Sequence, residues 1–153
     1  MRIGVISDTH GLLRPAALTA LAGVEHILHA GDVGDIGILE ALAKIAPVTA
    51  IRGNIDTSGP CADLPPTEFI ELAGAAFYLI HNIHDLDIDP TAAEIACIIS
   101  GHSHKPSAET RNSILYLNPG SAGPRRFSLP ITVARVQIES GQITPQIIPL
   151  EPA

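Results

Sequence analysis

The chain has 153 residues and 46% hydrophobic content, so it is long and apolar enough to bury a core, and intrinsic disorder is excluded. Sixteen acidic residues against nine lysines and arginines give a net charge of −7, which disfavours a stable nucleic-acid complex, because phosphate contacts need a basic surface. No apolar stretch approaches the ~18 residues of a membrane helix, and the N-terminus lacks a signal-peptide pattern. We therefore predict one cytoplasmic domain over residues 1–153 with no membrane association.

Three short apolar runs in the first fifty residues predict buried strands, and the segments between them predict helices. Pro15 is a favourable first residue for the first helix, which ends before Gly23. Asp35 is a favourable N-cap for the second helix. Such an alternation of strands and helices favours a parallel sheet. The strands are predicted at 2–7, 25–29 and 48–51, and the helices at 15–21 and 36–45.

The second half of the chain predicts strands with little helix. The loop at 57–66 contains Pro65-Pro66 and is predicted to have no regular structure. Asp89-Pro90 predicts only a short helix, because few residues remain before the next strand. The strands are predicted at 69–72, 76–80, 96–100, 113–117, 131–138 and 142–148. An order with βα units first and hairpins last indicates an α/β fold.

Seven polar side chains follow apolar runs, at the points where the predicted strands end. Asp8 and His10 are two residues apart, so on a strand they would point to the same side and share one ion. Ligands of open α/β sheets gather at the carboxyl ends of strands, where side chains distant in sequence can meet. The set consists of Asp8, His10, Asp32, Asn54, His81, His102 and His104.

The chemistry of this set indicates transition metals. Carboxylate, imidazole and amide oxygen suit Mn²⁺, Fe²⁺, Zn²⁺ or Ni²⁺ better than Ca²⁺ or Mg²⁺, which prefer oxygen ligands alone. Seven ligands are too many for one such ion and suit two ions with a bridging carboxylate. We therefore predict a centre of two divalent transition-metal ions, with Mn²⁺ as the first choice.

The same motifs resemble those of the calcineurin-like metallophosphoesterases, in particular their small single-domain phosphodiesterase branch. In the family's order, the matching motifs are Asp8-Thr9-His10, Gly31-Asp32, Gly53-Asn54, His81, Gly101-His102-Ser103-His104, and Asn118-Pro119-Gly120-Ser121 with Pro124-Arg125. The resemblance spans residues 1–150. It implies two packed mixed β-sheets flanked by helices, an αββα sandwich with the metals at the strand ends.

The resemblance also implies a role for each ligand. One metal would be held by Asp8, His10, Asp32 and His104, and the other by Asp32, Asn54, His81 and His102, so that Asp32 bridges them. Asn54 would also contact a phosphate oxygen, and Asn54 and His81 are the predicted catalytic residues. The implied reaction is hydrolysis of a small phosphodiester by a metal-activated hydroxide.

Four positions need separate interpretation. Relatives carry His or Cys after the Gly-Asn pair, but this chain has Ile55, which cannot donate a proton. The residue after His81 is asparagine rather than the usual glycine, which indicates a reshaped loop at 83–89. His84 in that loop is either solvated or faces the substrate. His29 is interpreted as a core histidine or as one that supports a ligand.

Two other functions stay open on the sequence. The same site could hydrolyse phosphomonoesters, or the fold could be a non-catalytic interaction scaffold, as in a retromer subunit that resembles this family. The presence of all seven ligands favours catalysis. The natural substrate, the metal used, and the existence of a homo-oligomer are also left open.

Overall fold

The apolar runs of the chain form two β-sheets that pack face to face. A computed structural model describes residues 1–150, in which ten strands form two five-stranded sheets. Residues 151–153 lie outside the described part, so one domain over 1–153 stays a prediction. The strands are β1 (Arg2–Ile6), β2 (His26–His29), β3 (Val48–Ala50), β4 (Thr67–Leu72), β5 (Ala75–Ile80), β6 (Cys97–Ile99), β7 (Ser107–Arg111), β8 (Ile114–Asn118), β9 (Thr132–Glu139) and β10 (Gln142–Pro149).

Both sheets have parallel strands at their centre. The first sheet has the order β10-β9-β1-β2-β3, in which β1, β2 and β3 are parallel and β9 and β10 antiparallel. The second has the order β4-β5-β6-β8-β7, in which β5, β6 and β8 are parallel and the outer strands antiparallel. Each sheet thus brings three carboxyl ends to one edge, where ligands collect in α/β proteins.

Two α-helices within residues 1–150 cover the outer face of the first sheet: α1 (Pro15–Ala20) and α2 (Ile36–Ala43). The predicted cap is confirmed, because the Asp35 carboxylate accepts a hydrogen bond of 2.9 Å from the Gly37 amide. Leu21 and Leu42 are buried on this face of the sheet. No helix in the described residues combines the length and apolar character needed to cross a membrane. The cytoplasmic location stays a prediction.

The main core lies between the two sheets. Val5 and Leu28 of the first sheet belong to the same buried cluster as Phe77 and Ile99 of the second. A further cluster on the outer face of the second sheet is covered by residues 83–95. The prediction of two packed mixed sheets in an α/β fold is therefore confirmed.

The layer over the second sheet differs from a helix. Residues 83–85 form one 3-10 turn, and the Asp89 carboxylate accepts hydrogen bonds from the amides of Thr91 and Ala92. Asp89 thus caps the segment as the N-cap of a helix would, but only the Ala93 amide bonds four residues back, to the Asp89 carbonyl, and Glu94 has a left-handed φ of 58°. The predicted short helix is therefore replaced by turns.

Two further elements were not expected from the sequence. β7 has five exposed residues, so it carries no apolar signal and is recognised only by its pairing with β8. The loop at 57–66, predicted to be irregular, contains a 3-10 helix at Pro60–Asp63, which begins with a proline as short helices often do.

Two phenylalanines on the β4–β5 hairpin test the inter-sheet core. Phe77 is fully buried, whereas Phe69 is 51% exposed. We expect Phe77→Ala to lower the free energy of unfolding by about 3–5 kcal/mol, because it leaves a cavity between the sheets. The matched control Phe69→Ala should cost about 1 kcal/mol or less. Urea denaturation of both variants checks this, and equal losses would contradict the assigned core.

Candidate metal centre

The predicted ligands lie in tight turns just beyond the strand ends. β1 ends at Ile6, and Asp8 and His10 both have left-handed backbone, with φ of 56° and 48°. The sequence predicted that strand alternation brings Asp8 and His10 to the same side, and this reason is wrong. The left-handed turn after β1 brings them together. Asp32, His102 and His104 also have positive φ, of 55°, 70° and 63°. Such conformations are costly for residues other than glycine and cluster at functional sites.

Five of the seven ligands converge, with three histidines around two carboxylates. Asp8 Oδ1 lies 3.7 Å from His10 Nε2, 3.8 Å from His81 Nε2 and 3.5 Å from His104 Nε2. Asp32 Oδ2 lies 3.3 Å from His10 Nε2 and 3.2 Å from His81 Nε2. The donors form two groups that share Asp8, one with His10 and His104, the other with Asp32 and His81.

The remaining two ligands border this group. The His102 ring contacts the His81 ring edge-on at 5.3 Å between centroids, much as His10 and His104 lie 5.2 Å apart. Asn54 is exposed and lines the same cavity as His81. The four histidines thus form two pairs, and the fold brings all seven predicted residues to one place.

Asp8 is oriented by hydrogen bonds to one of its two oxygens. Asp8 Oδ2 accepts from the Ser7 hydroxyl at 2.8 Å and from the His102 amide at 3.1 Å. A Cβ on Gly101 would collide with both Ser7 Oγ and Asp8 Oδ2, so glycine is required for this close approach. Asp8 Oδ1 is left facing the histidines.

Asp32 and His81 are oriented in the same manner. Asp32 Oδ1 accepts a 3.0 Å hydrogen bond from the Ile55 amide, and a Cβ on Gly53 would collide with that oxygen. His81 Nδ1 donates to the Ala30 carbonyl at 2.7 Å, so the lone pair of neutral His81 is on Nε2 and faces the centre.

The electrostatics favour an ionised carboxylate at Asp32. Burial raises the pKa of Asp32, but the His81 ring and the Ile55 amide outweigh it and hold the pKa well below its usual range. Burial lowers the pKa of His81, but Asp32 and the Ala30 carbonyl outweigh it and raise the pKa. Burial lowers the pKa of His104, and the positive charge of Arg126 acts in the same direction.

Asp56, which no sequence motif singled out, joins two ligand turns. Its Oδ2 accepts hydrogen bonds from the amides of Val33 (3.1 Å) and Gly53 (2.8 Å), and its Oδ1 from the amide of Gly34 (3.0 Å). Asp56 is 4% exposed. The available signal was a carboxylate three residues after Gly53, a spacing at which aspartate often bonds to its own backbone.

His29 is a fully buried core residue, as one of its two interpretations held. The Gly31 amide donates to its Nδ1 at 3.1 Å, so the proton is on Nε2, which lies 3.1 Å from Thr9 Oγ1. Thr9 donates in turn to the Val33 carbonyl at 2.8 Å. Burial lowers the pKa of His29 to about 4, so this link between the Asp8 and Asp32 turns stays neutral at physiological pH.

The centre has buried polar atoms without partners. Among residues 1–150, no hydrogen bond reaches Asp8 Oδ1, His10 Nε2, His81 Nε2 or His104 Nδ1. An unsatisfied buried polar group costs about 1–3 kcal/mol, and several that face one another are rare without a ligand. Carboxylate oxygen and imidazole nitrogen are ligands of divalent transition metals. The residues present therefore fit metal ions.

Comparison with known proteins agrees with this chemistry. The model of the calcineurin-like phosphoesterase superfamily domain matches residues 1–141. The chain belongs to this superfamily. A protein of Methanocaldococcus jannaschii named probable metallophosphoesterase is 32% identical over 164 residues, which cover 99% of this chain and 82% of that protein. Family membership supports a phosphoesterase function with divalent metal ions.

Solved structures with low identity share the superfamily fold. An archaeal phosphodiesterase has a TM-score of 0.79 at 21% identity, with 97% of this chain and 100% of that chain covered. Vps29 from Entamoeba histolytica, solved in complex with Zn²⁺, has a TM-score of 0.76 at 20% identity, with 99% and 100% covered. These likenesses confirm the fold. The assignment of each ligand to one ion stays a prediction.

Asp56 is open to a direct test. Asp56→Asn places an amide group against backbone N–H donors, so a buried donor loses its acceptor. We expect a loss of about 1–3 kcal/mol in the free energy of unfolding, measured with urea, and weaker metal binding, measured by titration of Mn²⁺. The control Asp63→Asn changes an exposed carboxylate at the end of the 3-10 helix that follows and should alter neither. Unchanged Mn²⁺ affinity in Asp56→Asn would refute the positioning role.

Proposed function

We propose that this phosphoesterase hydrolyses phosphodiester bonds of a small substrate with two divalent ions bound at the metal centre. The superfamily supports phosphoesterase chemistry; the diester preference and the two ions are inferred from the geometry of this chain. The arrangement of the cavities supports the diester preference. The arrangement of the histidines supports the two ions.

Two cavities open beside the contact between His81 and His102. The first cavity, of about 360 Å³, is lined by His81 together with Arg52 and Asn54. The second cavity, of about 250 Å³, is lined by His102 together with His84 and Tyr116. Asn82 borders both cavities. A phosphodiester has two substituents on phosphorus and would fill two cavities, whereas a monoester needs only one.

The histidine pairs support two ions. His10 with His104 and His81 with His102 correspond to the two metals implied by the resemblance. Asp8 Oδ1 and Asp32 Oδ2 both lie between the pairs, and Asp32 Oδ2 is the closer, at 3.3 Å from His10 Nε2 and 3.2 Å from His81 Nε2 against 3.7 Å and 3.8 Å for Asp8 Oδ1. When bound, two such ions would clamp a phosphate and lower the pKa of a water between them. Asp8 and Asp32 offset only part of the ions' charge, which leaves a positive centre for an anionic ester.

The side chains around the centre supply binding and orientation. Asn54 is exposed at the edge of the first cavity, where its amide can donate to a phosphate oxygen. Ile55 is 45% exposed and has no proton to give to a leaving group. We therefore expect the leaving group to depart without a proton from a side chain; His84, which is exposed and shares the second cavity with His102, is the side chain to test as a replacement donor.

Metal removal tests the proposal. We expect purified protein to contain close to two transition-metal ions per chain by elemental analysis, to lose activity on bis(p-nitrophenyl) phosphate on chelation, and to recover it with Mn²⁺.

Asp32→Ala should lose more metal than His81→Ala, because a bridging ligand holds both ions. His26→Ala, a histidine outside the centre that contacts Thr49, is the control.

Each alternative gives a different result in the same panel. Faster turnover of p-nitrophenyl phosphate than of the diester would assign the site to phosphomonoesters. Metal-free protein that is inactive on both compounds, and stays so with added Mn²⁺, would favour the interaction scaffold. Equal metal loss in Asp32→Ala and His81→Ala would argue against bridging by Asp32.

The leaving-group dependence tests the proton donor. If no side chain protonates the leaving oxygen, kcat/KM for a series of substituted aryl diesters should fall steeply as the leaving-group pKa rises, because general acid assistance worth about 10²–10⁴-fold is missing. We expect this steep dependence in the wild type and in His84→Ala alike. A nearly flat dependence in the wild type that becomes steep in His84→Ala would instead make His84 the general acid.

A further inference from the structure

A loop with two adjacent arginines is tied to the turn that carries Asp8. Ser121 Oγ donates to the Asp8 carbonyl at 3.0 Å, and the Ala122 amide donates to the Ser7 carbonyl at 3.1 Å. At Gly123, a Cβ would collide with the carbonyl oxygen of Asp8. The loop that leads to Arg125 and Arg126 therefore starts from a fixed position at the metal centre.

Other contacts fix the same loop from its outer side. Arg14 donates to the Gly123 carbonyl through Nε at 3.4 Å and Nη2 at 3.2 Å. Arg125 Nη1 donates to the Leu129 carbonyl at 3.2 Å, so Arg125 braces its own loop. Arg126 makes no side-chain hydrogen bond within residues 1–150, and its guanidinium is available to a ligand.

The two arginines border a third cavity of about 240 Å³. It is lined by His10, His104, Pro124, Arg125 and Arg126, and shares no residue with the first and second cavities. Because His10 and His104 are predicted metal ligands, this cavity opens directly onto the metal centre. The centre thus has three openings, one more than the two substituents of a diester require.

No acidic side chain forms an ion pair with the arginines of the third cavity. Within the described residues, no carboxylate lies within 4.0 Å of Arg125 or Arg126, whereas Arg2 and Arg111 each have a glutamate partner. The chain as a whole has a net charge of −7. An arginine pair beside a metal centre in an acidic protein gives a local positive field and planar donors that match phosphate oxygens.

We propose that Arg126, braced by Arg125, binds a second phosphate group of the substrate. The preferred substrates are then phosphodiesters that carry a further phosphate on one substituent. This inference rests on the proposed diesterase function, since it names the substrate class of the same site.

A pair of chromogenic diesters tests the proposal. The p-nitrophenyl ester of thymidine 5′-phosphate and the same ester with an added 3′-phosphate differ only in the second phosphate. We expect the 3′-phosphorylated compound to have about tenfold higher kcat/KM in the wild type, and the advantage to decline with ionic strength. Arg126→Gln should reduce the ratio of the two kcat/KM values to about one, and Arg126→Lys should keep part of the advantage.

The matched control is Arg2→Gln, which removes the same charge at the start of β1, at the opposite end of that strand from the metal centre. This variant should keep the full preference for the 3′-phosphorylated ester. Calorimetric binding of thymidine 3′,5′-bisphosphate and thymidine 5′-monophosphate to the same Mn²⁺-loaded proteins separates the two proposals. Inactive protein that still binds the bisphosphate more tightly through Arg126 would overturn the diesterase function alone. Equal binding and equal hydrolysis of both members of each pair, unaffected by Arg126→Gln, would overturn the second-phosphate site.

Discussion

The structure depends on holding two carboxylates and several imidazole nitrogens together out of water. Asp8 is fully buried, Asp32 is 4% exposed, and they lie less than 4 Å from the nitrogens of three histidines. Such a group is unfavourable by itself, because ionised and polar atoms lose hydration without gaining partners. Metal ions would supply those partners, so metal binding would stabilise the folded protein.

Hydrogen bonds from backbone groups hold these carboxylates and histidines in place. Each carboxylate has one oxygen held by amide donors and the other left for the centre, and His81 is held through Nδ1 for the same purpose. Asp56 and His29 join neighbouring turns without facing the centre. A site supported in this way needs little reorganisation when a ligand arrives, which is the condition for strong electrostatic stabilisation.

The openings around the centre differ in chemistry although they share one set of ligands. The first cavity combines Arg52 and Asn54 with the acidic side chains Asp85 and Asp87, while the third has arginines and no acidic lining. Since the metal chemistry is common to the superfamily, differences among the openings are where a member can select its substrate. In this chain the loops after β5 and β8 set those differences.

The sequence by itself determined the parallel strands of the first sheet, both α-helices and the identity of the seven polar residues, because apolar runs, caps and polar strand ends are local signals. It did not predict β7, whose exposed residues have no apolar pattern, or the turns that replace a helix after Asp89. It also gave the wrong reason for the proximity of Asp8 and His10, which a left-handed turn brings together. Only the tertiary structure decided which carboxylate oxygen faces the centre and that Asp56 joins two turns, since these depend on amides more than twenty residues away. The tertiary structure likewise placed the loop with Arg125 and Arg126 at the metal centre. The Ser121 hydroxyl donates a hydrogen bond to the Asp8 carbonyl across 113 residues of sequence, a contact that no local pattern can encode.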